Sequence, residues 1–158
     1  MKEKESARIL VVDDDVSIRK SHEAVLKDNG YLVDVAENGK EAIAKSEAGL
    51  YNVALVDLRL PDMDGIELLR AMRETVPKMV KIIITGYPSL ENAIEAVNRG
   101  ADGYMVKPYV MEDLLRKIQE QLEKQQEAKK YGEEKIVEFI EARAEEHTAK
   151  TSTKRAKE

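Results

Sequence analysis

Residues 53–56, Val-Ala-Leu-Val, form an unbroken apolar run that ends abruptly on a carboxylate, Asp57. Four residues are too few for a helix, and two β-branched side chains among them favour a strand. A strand without polar alternation is buried on both faces, which places it inside a parallel sheet covered by helices. Three other stretches behave alike. Residues 8–12 end at Asp13-Asp14-Asp15, residues 80–84 end at Thr85, and residues 103–106 end at Lys107-Pro108. A fifth stretch, 31–36, carries Asp34 in its interior and is the least apolar, so it belongs at an edge.

Helical patterns separate these runs. Ile18, Val25 and Leu26 share one face of a first helix that Gly30 stops. Asn38 and Glu41 have cap-and-return spacing and open a second, which ends at Gly49. Asp64 and Glu67 repeat that spacing before Ile66, Leu68, Leu69 and Met72, and this third helix is predicted to reach Pro77. Residues 88–99 give a fourth with Gly100 as its stop, and a fifth starts near Met111 with Leu114, Leu115, Ile118 and Leu122 inward. Alternating strands and helices predict an α/β fold: a doubly wound, five-stranded parallel sheet of order 2-1-3-4-5, helices on both faces, and a C-terminal helical extension.

Composition narrows the function. At 158 residues, 42% hydrophobic and 36% charged, the chain suits one domain plus an appendage. A net charge of -5 argues against general affinity for nucleic acid or anionic membrane. The absence of cysteine excludes disulfides, thiolate metal sites and thiol catalysis. The N-terminal apolar run is too short for a signal peptide or a span, so a soluble cytoplasmic protein is expected.

In a doubly wound sheet, ligands collect at the carboxyl ends of the strands. Asp13, Asp14, Asp57, Thr85 and Lys107 all stand there. Three converging carboxylates repel unless a cation is present, and Lys107 neutralises one charge. The remainder asks for a hard divalent cation, magnesium or manganese, held by Asp14 and Asp57 together with a phosphate oxygen. Thr85 and Lys107 can contact the other phosphate oxygens. The expected chemistry is phosphoryl transfer to a carboxylate.

The segments Ile-Leu-Val-Val-Asp13-Asp14, Val-Asp57-Leu-Arg-Leu-Pro-Asp-Met-Asp-Gly, Ile-Thr85-Gly-Tyr and Gly-Tyr104-Met-Val-Lys107-Pro108 resemble the receiver domain of two-component response regulators over residues 7–124. That family has the flavodoxin-like fold, the same 2-1-3-4-5 winding expected above. The resemblance implies that Asp57 is the phosphoacceptor for a sensor histidine kinase or phosphotransfer protein. It implies Asp14 and Asp57 as direct magnesium ligands, Asp13 through water, and the Arg59 backbone carbonyl as a further ligand. Lys107 would contact the phosphoryl group across a cis Lys107-Pro108 peptide. Thr85 and Tyr104 would couple phosphorylation to the surface formed by helix 4, strand 5 and helix 5, where a partner binds. Such a protein is a switch that catalyses only its own phosphorylation and dephosphorylation.

Two other classes compete. Asp13-Asp-Asp15 resembles the Asp-x-Asp motif of haloacid-dehalogenase-type phosphatases, with Asp13 as nucleophile. The chain lacks a second acidic pair after Lys107 and the length for a cap domain. A flavodoxin-like binding module independent of phosphorylation would need a glycine-rich phosphate loop or stacking aromatics, and the chain is 4% aromatic. Simpler readings also apply to individual residues. Asp15 is a helix-start carboxylate, His22 a surface or semi-buried histidine, His147 a residue in a charged helix, and Arg59 and Tyr87 flank the site.

The chain is thus expected to comprise a receiver domain at 1–124, a helical extension at 125–147 and a disordered tail at 148–158. Tyr131-Gly132 is expected to break the last helix. Beyond it Ile136, Phe139, Ile140 and Ala144 line one face of a charged segment. The remaining length is too small for a DNA-binding domain with its own core, so a stand-alone receiver is expected. The apolar stripe points to a homodimer or a protein partner.

Overall fold

Burial explains why the apolar runs lie inside the sheet. The computed structural model describes residues 6–75 and 77–156, with side chains to residue 144. In order the elements are β1 (Arg8–Val12), α1 (Val16–Asp28), β2 (Leu32–Ala36), α2 (Gly39–Ala48), β3 (Val53–Asp57), α3 (Gly65–Ala71), β4 (Val80–Thr85), α4 (Leu90–Asn98), β5 (Gly103–Val106) and α5 (Met111–Ala156). The strands form one parallel sheet of order β2-β1-β3-β4-β5. Strand β2, with Asp34 inside it, lies at the predicted edge.

Successive side chains of the central strands point to opposite faces. Ile9, Val11, Val53, Leu55, Ile82 and Ile84 form one layer with Leu26 of α1 and with Leu114 and Ile118 of α5. Leu10, Val12, Ala54, Val56 and Ile83 form the other with Ala42 of α2, Ile66, Leu68 and Leu69 of α3, and Ala96 of α4. Each fully buried Leu or Ile contributes roughly 1.5–3 kcal/mol by leaving water.

Local chemistry sets most helix ends. Asp15, Asn38, Asp64 and Ser89 each accept a backbone N–H of the first turn at the start of α1, α2, α3 and α4. Helices α1 and α4 stop at Gly30 (φ 89°) and Gly100 (φ 96°). The paired bonds Tyr31 N to Leu26 O and Gly30 N to Lys27 O close α1, and Ala101 N to Ala96 O with Gly100 N to Val97 O close α4.

Three expectations about helix ends are corrected. Helix α3 stops at Ala71, short of Pro77. Met72 takes extended backbone (φ -71°, ψ 141°) and is buried in the core, whereas Arg73, Glu74 and Thr75 have no apolar face to continue the stripe. Helix α5 runs unbroken through Tyr131-Gly132. One glycine costs a helix about 1 kcal/mol relative to alanine, and its Ala-, Glu- and Lys-rich surroundings outweigh that. The backbone expected to be disordered from 148 is helical to Ala156, continuing α5 with no proline or glycine to stop it; residues 157–158 and the His147 side chain lie outside what is described. The chain divides into two compact units, Met1–Glu123 and Lys124–Glu158.

One glycine is required by close approach. Gly65 donates its N–H to Leu58 O at 2.7 Å, and a Cβ there would lie 2.2 Å from Asp57 O and 3.0 Å from Leu58 Cα. Both neighbours are backbone and cannot rotate away. Gly65→Ala is therefore expected to destabilise the fold by about 3 kcal/mol, near the upper end for overpacking. Urea denaturation reads this directly, and a loss within experimental scatter of zero would show that the β3–α3 turn can yield.

Candidate functional site

Sheet register alone brings the acidic residues together. Val12 lies opposite Val56, so the residues that follow, Asp13 and Asp57, leave β1 and β3 side by side. Carboxylate oxygens of Asp13, Asp14 and Asp57 lie within 4.8 Å of one another. Across the sheet Thr85 pairs with Val106, and Lys107 follows at once. The Lys107 ammonium stands 3.2 Å from Asp57 Oδ2 and 3.6 Å from Asp13 Oδ2. The Lys107-Pro108 peptide is cis.

Each acidic residue has a different setting. Asp57 is half-buried, and its Oδ1 accepts the Arg59 N–H at 3.0 Å while Oδ2 accepts from Lys107. Asp14 is exposed. Asp13 is 5% exposed, and its pKa is pushed up to about 6, chiefly by burial. The Asp15 N–H, 2.9 Å from Asp13 Oδ1, works against that rise, the Asp57 charge adds to it and Lys107 opposes it. For Lys107, burial favours the neutral amine, but the attraction of Asp57 and then Asp13 outweighs it and raises the pKa. All donors at the cluster are oxygens, carboxylates suited to a hard divalent cation, and one ammonium against three carboxylates leaves charge for such a cation to balance.

A site of this geometry at the carboxyl edge of a 2-1-3-4-5 sheet matches a known family along most of its length. The sequence model described as "Response regulator receiver domain" matches residues 9–119. The chain belongs to that family.

Among relatives, the receiver is 37% identical over 118 residues to the transcriptional regulatory protein ZraR of Klebsiella oxytoca, covering 75% of this chain and 27% of ZraR. The chain thus spans less than a third of that relative's length. Among solved structures it is similar to a CheY-like receiver domain protein from Methanospirillum hungatei, at 45% identity and TM-score 0.74, over 78% of this chain and 98% of that one. It is also similar to a Burkholderia pseudomallei response regulator solved with a phosphorylated aspartic acid, a calcium ion and citrate, at 29% identity and TM-score 0.66, over 78% and 72% of the two chains.

The remaining residues singled out in the sequence fall into two groups. Thr85 is buried at the end of β4, where its Oγ1 accepts the Tyr87 N–H at 3.0 Å. Tyr104 pairs with Ile83, two residues before Thr85, so Tyr104 and Thr85 occupy the same face of neighbouring strands. The Tyr104 hydroxyl is buried without a hydrogen-bond partner. At the rim, the Arg59 guanidinium stacks 4.0 Å over the Tyr87 ring. Asp15 caps α1 through Ile18 N rather than joining the acidic cluster.

Sequence reading missed several supports. Arg19 donates to Asp13 O at 2.8 Å and holds the β1 end from α1. Asp62 accepts the N–H groups of Gly39 and Lys40 at 2.8 and 2.9 Å, tying the β3–α3 loop to the start of α2. His22 is buried and hydrogen-bonded through both ring nitrogens, one of them to Tyr109. A positively charged residue one turn into α1 was the available signal for Arg19; the other contacts join residues distant in sequence and emerge only from the fold.

The raised pKa of Asp13 has a definite sign in stability. Between its ordinary value of 3.8 and about 6, the folded protein holds a proton that the unfolded chain has released. In metal-free protein this contribution is complete below that window and is lost as pH rises through it. In chelator, the thermal midpoint of Asp13→Asn relative to wild type should therefore increase by several degrees on going from about pH 4 to about pH 7. Parallel profiles for the two proteins across that window would sink the assignment.

Proposed function

We propose that this receiver accepts a phosphoryl group on Asp57 from the phosphohistidine of a sensor histidine kinase or phosphotransfer protein. The observation that carries the reading is the Lys107 ammonium 3.2 Å from Asp57 Oδ2, inside a cluster of three carboxylates. In the transfer, an Asp57 carboxylate oxygen forms the new O–P bond as the donor's N–P bond breaks, and the departing imidazole keeps the electron pair and is later protonated. Lys107 holds Asp57 and neutralises charge on the incoming group. Asp14 and Asp57, with Asp13 through water and the Arg59 backbone carbonyl, are the residues that would hold magnesium or manganese. When bound, such an ion supplies positive charge against the phosphoryl oxygens. Asp57 suits the acceptor role better than Asp13, whose carboxyl is nearly closed to solvent and engaged by the Asp15 N–H. This disfavours the phosphatase alternative, which needs Asp13 as nucleophile. The phosphorylated aspartic acid of the Burkholderia relative supports the same assignment.

The output proposed is a switch of the surface formed by α4, β5 and the start of α5. Phosphorylated Asp57 would draw the Thr85 hydroxyl, and Tyr104 would turn into the space released. One observation supports this: an exposed apolar row of Leu90, Ile94 and Val97 on α4, with Val106 exposed on the neighbouring strand β5. The row fits a protein partner, and the net charge of -5 favours protein over nucleic acid here. Among the described residues no helix is long and apolar enough to cross a membrane.

Mass spectrometry after treatment with acetyl phosphate and magnesium should show one added phosphate, absent from Asp57→Asn and from samples in chelator. Persistent labelling of Asp57→Asn would falsify the acceptor assignment.

The helical extension is proposed to associate with a second copy. Tyr131, Ile136, Val137, Phe139 and Ile140 are all at least half exposed, and Ile136, Phe139 and Ile140 share one face. Light scattering of the full chain should show concentration-dependent association, strengthened by beryllofluoride and abolished by deleting residues after Lys130. A monomer of constant mass in every condition removes self-association.

A further inference from the structure

A buried polar pair ties α1 to the loop that carries Lys107. His22 is 7% exposed, and its Nδ1 lies 2.8 Å from Ile18 O. A carbonyl only accepts, so Nδ1 bears the proton and, in the neutral ring, Nε2 presents a lone pair. That lone pair meets the Tyr109 hydroxyl, which donates to it across a separation of 87 residues. The rings meet edge to face, with centroids 5.9 Å apart and planes at 74°. Burial, followed in size by the opposing Ile18 bond and the Lys107 charge, leaves the His22 pKa lowered, in keeping with a neutral ring. The Tyr109 phenol is pushed up to about 12, by burial first and then by the charges of Asp13 and Asp57, so it lies within reach of the acidic cluster's field.

An apolar pair would fill the same space without specifying where the loop lies. A hydroxyl and an imidazole that satisfy each other do specify it, because displacing either leaves a buried polar atom unpaired. Tyr109 is two residues from Lys107, and Pro108 between them has a fixed φ. We propose that His22 is a positioning residue for Lys107, acting through its hydrogen bond to Tyr109 to fix where the ammonium stands against Asp57.

The effect on transfer rests on Asp57 being the phosphoacceptor, whereas the effect on Lys107 itself does not. The test uses the full chain as His22→Leu, Tyr109→Phe, the double variant, and His22→Gln, which keeps an acceptor near the Nε2 position. Two readouts are taken: the rate of labelling by acetyl phosphate with magnesium, and the Lys107 side-chain 13Cε and 15Nζ resonances in metal-free protein. Each apolar single variant should slow labelling about tenfold, the scale expected for a misplaced catalytic contact. Each should also move the Lys107 resonances. The double variant should match the singles instead of compounding them, and His22→Gln should recover most of the rate. Compounded losses in the double variant, or lower melting temperatures with unchanged rate and unchanged Lys107 resonances, overturn the proposal. Should wild type take no label, the acceptor reading fails separately, and the resonances alone decide: non-additive shifts support the positioning role and unmoved ones end it.

Discussion

Three carboxylates held within one small volume repel one another, and the carboxyl edge of the sheet is arranged around that repulsion. At separations near 4 Å, two unit charges in a partly solvated site repel by about 4 kcal/mol. The structure answers in three ways. Asp13 is closed to solvent and its pKa rises, Asp14 stays in water, and Asp57 is bracketed by the Lys107 ammonium and the Arg59 N–H. Burial alone would weaken Lys107 as a cation, but its two acidic neighbours more than restore it. The result is a site short of positive charge, with carboxylate oxygens suited to a hard divalent cation.

Such a site needs a frame that does not relax. The frame is a sheet whose central strands are apolar on both faces, so a slip of one residue would send every core side chain into the opposite, differently packed layer. Fixed register is what sets Asp13 beside Asp57 and Lys107 one step past Thr85. Around the edge, short polar contacts tie the loops after β1 and β3 down: Arg19 to the Asp13 carbonyl, Asp62 to the start of α2, and the Gly65 N–H to the Leu58 carbonyl. None of these is chemistry on a substrate. All of them limit how far the carboxylates can move apart to relieve their repulsion.

Much of this was legible in the residues. Unbroken apolar runs identify strands β1, β3 and β4, and Asp34 marks β2 as an edge, because a buried carboxylate inside a central strand would be left unpaired. Asp15, Asn38 and Asp64 were readable as helix-start residues, and Gly30 and Gly100 as stops, since caps depend on neighbours only. The end of α3 was not readable, because what stops it is the burial of Met72 and not a local breaker. Gly132 misled in the opposite direction: a single weak residue does not end a helix whose neighbours all favour it. The His22–Tyr109 bond was the least legible of all. A histidine in a helix and an aromatic after Lys-Pro carry no mark of each other until the sheet brings α1 beside the β5–α5 loop.

The same economy bears on how the site can reach the surface. The Tyr104 hydroxyl is buried against the sheet. Thr85 lies on the same face of the adjacent strand and accepts the Tyr87 N–H, leaving its own proton to donate. On the proposed reading, phosphoryl oxygens on Asp57 offer that proton a strong acceptor. Coupling requires only that the two arrangements differ in what they present to a partner. Leu90, Ile94 and Val97 already present an apolar face beside β5. A partner that senses Tyr104 there by as little as about 1.4 kcal/mol would bind one state tenfold more tightly than the other.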